Sequence, residues 1–143
     1  MTTFAEGSSA HPIRTGFRYV LTAVMMGAGA LHFTAGELFV QIVPPELPAP
    51  YALVWLLGIA ELLLGASLQF RVTRRLAGVG LVALYVAVFP ANVYMTLENV
   101  QVHGLPSYLS QPSPMMLWLR LPLQLVFIAW ALWVAEIWPE GRR

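Results

Sequence analysis

A chain of 143 residues that is 58% hydrophobic and 10% charged has too few polar side chains to cover a water-facing surface; soluble domains carry about 25% charged residues. The net charge of +1 comes without any basic cluster interleaved with aromatics, so nucleic acid is excluded as a partner. The absence of cysteine excludes thiol relays, disulfides and Cys-ligated metal centres.

The first 18 residues form a polar N-terminal segment that ends with Arg14 and Arg18. The apolar run at 19–39 outlasts the core of a signal peptide, about 7–15 residues, and reads as a retained first span. A proline-rich connection follows, with Pro44, Pro45, Pro48 and Pro50, before a second apolar run at 51–70. A short stretch holding Arg71, Arg74 and Arg75 leads into a third run at 76–95. A second connection, at 96–114, carries Pro106, Pro112 and Pro114. It mixes Val100, Val102, Leu105, Tyr108 and Leu109 with polar residues, a pattern suited to headgroup depth. A fourth run occupies 115–135, the membrane domain closes at 138, and 139–143 is a tail.

Each run meets the length of about 20 residues needed to cross a bilayer. In lipid, every backbone polar group must be paired within the protein, so runs without strand-like alternation predict helices. Seven of the eight arginines precede span one, join spans two and three, or follow span four; the opposite connections contain none. The positive-inside rule then predicts cytoplasmic termini. The expected fold is an all-α integral membrane four-helix bundle, a multi-pass protein of the cell membrane. Ala23/Gly27, Gly58/Gly65 and Ala83/Ala87/Ala91 are spaced for close helix approach. Trp118, Trp130, Trp133 and Trp138 crowd the fourth span, with Trp138 at the inner aromatic belt.

His32, Glu61, Asn92, Arg120 and Gln124 interrupt the apolar runs, and ionisable groups there need a partner or a cavity. At about 1.5 Å per residue, His32, Asn92 and Arg120 lie roughly 5–11 Å from the outer interface, and Glu61 and Gln124 roughly 13–15 Å deep. Arg120 and Gln124 share a helix face by their i, i+4 spacing, and Tyr85 and Asn92 share one by their separation of seven. Glu61, the deepest charge, and Arg120, the one arginine off the inner side, are expected to pair directly or through a water. Pro90 and Pro122 free the carbonyls of Val86 and Trp118 and would widen the outer half. His32 with Glu37 or His103 lacks the spacing of a metal site, so no metal is expected. Glu37, Glu46, Glu98, Glu136 and Glu140 read as solvated.

The motifs Gly29-Ala30-Leu31-His32-Phe33, Ile42-Val43-Pro44-Pro45 with Pro48, and Gly58-Ile59-Ala60-Glu61 resemble those of small DoxX-like membrane proteins. So do Phe89-Pro90-Ala91-Asn92 and Arg120-Leu121-Pro122-Leu123-Gln124. The resemblance runs from span one to span four. It implies a four-helix membrane bundle, with some members associated with membrane redox systems, and it points to His32, Glu61, Asn92, Arg120 and Gln124.

The expected function is an accessory subunit of a membrane redox system. Its outer-half cavity would hold a lipophilic small molecule by its polar head, a quinone being the natural candidate. His32, Tyr85, Asn92 and Gln124 are the ligand-binding candidates. Two alternatives stay open. One is a cofactor-free membrane isomerase or hydrolase, with Glu61 as general acid or base and Arg120 stabilising negative charge. The other is a structural assembly protein in which the polar cluster only fixes helix register.

Overall fold

The computed structural model describes residues 10–106 and 110–139. The segment 1–9, Tyr108 and Leu109, and Glu140, Arg142 and Arg143 lie outside the described residues. The helices are α1 (Ala10–Thr34), α2 (Gly36–Val40), α3 (Pro50–Ser67), α4 (Arg74–Leu97) and α5 (Pro114–Val134), with no strand among the described residues.

The first expected span differs from the observed helix at both ends. Between Ala10 and Arg18 the helix runs through Gly16, and Pro12 does not interrupt it because it falls in the first turn, where an N–H has no intrahelical acceptor anyway. The added turns pack on α5: Phe17 meets Trp130 and Trp133 edge-on at 5.9 and 5.5 Å, and the Arg14 guanidinium lies 5.7 Å from the Trp133 ring centre. At the other end Ala35 leaves helical geometry (φ −133°, ψ 31°), so α1 stops at Thr34 and α2 is a separate short helix. The remaining helices start where sequence chemistry sets them. Pro50 and Pro114 occupy first-turn positions of α3 and α5, and Ser113 caps α5 by accepting the Met116 N–H at 3.3 Å.

Three helices, α3, α4 and α5, are long and apolar enough to cross a membrane. Large apolar side chains face outward on all three, among them Leu56, Leu63, Val79, Val86, Leu119 and Leu125. Such a surface is unfavourable in water and suited to acyl chains, which identifies a membrane protein. α1 packs mainly on α3 and α4 mainly on α5, while lighter contacts join α3 to α4 and α1 to α5.

Glycines set the closest approaches. A methyl group on Gly58 would fall 2.8 Å from His32 Cβ and 3.0 Å from the Gly29 carbonyl, and one on Gly65 would fall 2.8 Å from Met25 Cβ. Gly27, expected at an interface, has open space around its α-carbon, and Gly29 takes that role instead.

Two apolar clusters bracket the molecule. Leu21, Met25, Leu68, Leu81, Ala131 and Val134 fill one end, and Met95, Val102 and Leu117 fill the other. The first end also gathers arginines. Arg74 donates to Glu136 Oε1 at 2.9 Å and to the Leu68 carbonyl at 3.1 Å, and Arg18 Nη1 lies 3.8 Å from the same carboxylate oxygen. Burial first, and then the Arg74 charge, hold Arg18 below the usual arginine value. Glu136 is therefore an ion-pair partner, not a freely solvated carboxylate, because the turn after α5 brings it over the start of α4. Glu37, Glu46 and Glu98 are exposed as expected.

At the opposite end the Gln41 side chain clips the two connections together. Its amide nitrogen donates to the His103 carbonyl at 3.1 Å, and its oxygen accepts the His103 N–H at 2.8 Å.

Candidate functional site

Between the two apolar clusters lies a band of polar side chains contributed by all four long helices. On the α1/α3 side, the Gly29–Gly58 approach brings His32 and Glu61, each one turn further along its helix, into contact. His32 Nδ1 is 3.1 Å from Glu61 Oε2, yet its hydrogen bond goes to the Ala28 carbonyl at 2.7 Å. Oε2 is buried and accepts no hydrogen bond. The His32 ring stacks on Phe39 at 4.1 Å, which fixes its orientation. His32 is 3% exposed and Glu61 9%, so neither is solvated in the way an isolated surface pair would be.

On the α4/α5 side, Asn92 donates to Gln124 Oε1 at 3.0 Å, and Gln124 donates to the Tyr85 carbonyl. Thr96 Oγ1 lies within reach of the Asn92 and Leu117 carbonyls, at 2.8 and 3.2 Å. Each amide thus satisfies part of its capacity across the helix interface, which holds Gln124 and Asn92 in one orientation. The Tyr85 hydroxyl points to Met25 Sδ at 3.5 Å.

These two halves face a common cavity of about 220 Å³ lined by Glu61, Tyr85, Asn92, Arg120, Gln124 and neighbouring apolar residues. Five of the six residues singled out from the sequence line it; His32 stands behind Glu61. Several of the lining positions, among them Val88, Asn92, Leu123 and Gln124, flank Pro90 and Pro122.

The expected direct pairing of Glu61 with Arg120 is not what the structure contains. Arg120 joins none of the ion pairs among the described residues, and its Nη1 contacts Met95 Sδ at 2.7 Å. The reason is rotational. Glu61 shares the Gly58 face of α3, which packs on α1, so imidazole is the basic group it meets first.

A second, apolar chamber of about 380 Å³ adjoins the first, lined by residues of α3, α4 and the 42–47 connection together with His32. Leu84 and Val88 line both spaces. Sequence reading missed this chamber because its wall includes a loop whose path cannot be read from periodicity. It also missed Thr96 and Met95, whose apolar or hydroxyl character raises no flag within a span. A third depression of about 430 Å³ lies beside the Gln41–His103 clip and includes Glu37, Tyr51 and Trp55.

The cavity offers a carboxylate, a guanidinium and two amides, a set that recognises hydrogen-bonding head groups. Among the described residues, no group of three or more His, Asp or Glu is arranged to hold a metal ion. No curated protein and no solved structure matches the chain. A family model does match, over residues 21–135, from the middle of α1 through the end of α5, and the chain belongs to the family defined by the domain of unknown function DUF8561.

Proposed function

We propose that this chain is a four-span protein of the cell membrane, with cytoplasmic termini, that binds a lipophilic molecule through its polar head. One observation carries the reading: a polar cavity lined by Glu61, whose basic neighbour is His32, and by Arg120, which has no carboxylate partner among the described residues, shares Leu84 and Val88 with an apolar chamber of the same helix assembly. A cluster that served only to fix helix register would need neither space. A guanidinium without a protein counter-ion is costly in lipid, and a ligand that hydrogen-bonds Arg120 offsets that cost. The fourth span would be α1, whose outward Val20, Val24, Met26 and Leu31 match the lipid-facing character of the other three. The gathering of Arg14, Arg18 and Arg74 at one end supports the inside-positive orientation.

The resemblance to DoxX-like proteins adds a quinone as the candidate lipophile and an accessory place in a membrane redox system, with catalysis in a partner. A second reading draws on the same two side chains. As the acid/base and anion-stabilising groups of one cavity, Glu61 and Arg120 have the roles a cofactor-free isomerase or hydrolase requires.

The test is purification in mild detergent followed by solvent extraction and mass spectrometry of bound small molecules. Wild-type protein should retain a lipophile, and Gln124→Leu, which strands no charge, should remain folded yet lose it. Equal retention by both proteins, with Arg120→Leu also unaffected, would leave only a structural role. Chemical conversion of the recovered lipophile by the purified chain alone would favour the enzymatic reading.

A further inference from the structure

We infer that the two adjoining chambers form one site for an amphiphile whose head carries a hydroxyl or N–H donor opposite an acceptor, so that acceptor-only heads are discriminated against. The inference rests on the ligand-binding reading above and specifies the chemistry of the ligand.

The donor requirement comes from Glu61. The side chain is 12% exposed, its Oε2 is buried without a hydrogen-bond partner, and no hydrogen bond from the described residues reaches Oε1. Its nearest basic neighbour, His32 at 3.1 Å, serves it as a charge partner and not as a hydrogen-bond donor. The Nδ1 hydrogen of His32 is committed to the Ala28 carbonyl at 2.7 Å, and the Phe39 stack prevents the ring from turning away. A carboxylate in this state needs a donor from whatever fills the cavity it lines, and a bare carbonyl would meet it oxygen to oxygen. The acceptor requirement comes from Arg120, which has no carboxylate partner and whose Met95 contact leaves other N–H groups open. Asn92 and Gln124 are partly bonded to each other and to the Tyr85 carbonyl; their remaining N–H groups and the Asn92 oxygen can hold either kind of head, so they add affinity and little discrimination.

The space sets the size. A cavity of about 150 Å³ holds benzene, so 220 Å³ accommodates a ring bearing small polar substituents. Leu84 and Val88 border both spaces, so the proposed molecule would continue past them into the 380 Å³ apolar chamber, beside Ala87 and Ala91.

The test uses the full chain in lipid nanodiscs and two probes that differ only in head-group hydrogens, a decyl-substituted benzoquinone and the corresponding hydroquinone. Titrations are done anaerobically. The hydroquinone should bind at least tenfold more tightly. In Glu61→Gln, whose amide both donates and accepts, the ratio should fall to about threefold or less. Circular dichroism and gel filtration establish that the variant is folded. Ala87→Trp, which fills the apolar chamber, should weaken the decyl hydroquinone and leave the same head without its tail unchanged. Equal affinity for both probes, or preference for the quinone, overturns the donor requirement while the ligand-binding reading stands. Equal weakening of tailed and tailless heads by Ala87→Trp overturns the union of the chambers. Absence of binding by either probe overturns the inference together with the reading beneath it.

Discussion

Replacing Gly58 with alanine tests the contact on which the site is built. The added methyl would sit 2.8 Å from His32 Cβ, 2.9 Å from a Phe33 ring carbon and 3.0 Å from the Gly29 carbonyl, where ordinary contact begins at 3.4 Å. Two of these neighbours are a β-carbon and a backbone oxygen, neither of which can swing aside. Helices α1 and α3 must therefore part by about 0.5 Å, and gaps of that order forfeit about a quarter or more of each dispersion contact along the seam. Overpacking of this kind costs about 1–3 kcal/mol. The helix-propensity gain of alanine over glycine, about 1 kcal/mol, acts in the opposite direction. Gly27→Ala supplies the control, because it carries the same gain and meets nothing within 4 Å. The difference between the two variants should be about 1–3 kcal/mol with Gly58→Ala the less stable, read from denaturant unfolding in micelles by near-ultraviolet circular dichroism. Equal stabilities would refute the claim that backbone approach at Gly58 positions His32 against Glu61.

Further expectations follow from other contacts. The His32→Ala and Glu61→Ala pair should be non-additive by about 0.5–3 kcal/mol, and strict additivity would show that the 3.1 Å contact contributes nothing. Glu136→Gln should lower stability by about 1 kcal/mol, a figure reduced for the solvent screening of a half-exposed carboxylate. The effect should shrink in high salt, and a salt-independent effect would contradict an ionic clamp on Arg74 and Arg18. Gln41→Ala should speed amide hydrogen exchange across 41–48, with unchanged exchange arguing against the clip. For orientation, Glu46→Cys should react with an impermeant thiol reagent on intact cells and Val72→Cys should not. Both positions are exposed and the chain has no other cysteine, so the reverse pattern would invert the topology.

The apolar runs made the long helices legible, since nothing but a helix satisfies backbone groups over such lengths in lipid. The break at Ala35 was not, because Ala35-Gly36 is a weak stop inside an apolar stretch. The membership of the cavity was largely legible for the same reason that it is costly: Glu61, Asn92, Arg120 and Gln124 stand out against their spans, and their depth ranges coincide. Partner choice was not. Depth and charge favoured Glu61 with Arg120, but the helix phase decides contact, and Gly58 and Glu61, three residues apart, turn together toward α1. The choice between Gly27 and Gly29 as the close-packed glycine is likewise a question of rotation about the α1 axis. The engagement of Glu136 depends on the turn that follows α5, and the apolar chamber depends on the path of residues 42–47. Neither has a periodicity to read.

The most direct measurement of the central claim, that the Glu61 and Arg120 cavity is a ligand site, is native mass spectrometry of the protein released from its own membranes. Wild-type chain should appear with a discrete lipophilic adduct, and the adduct should be lost or strongly reduced in Arg120→Leu and Glu61→Leu variants that remain folded. Bare wild-type protein, or an adduct of equal occupancy in all three chains, would contradict the account.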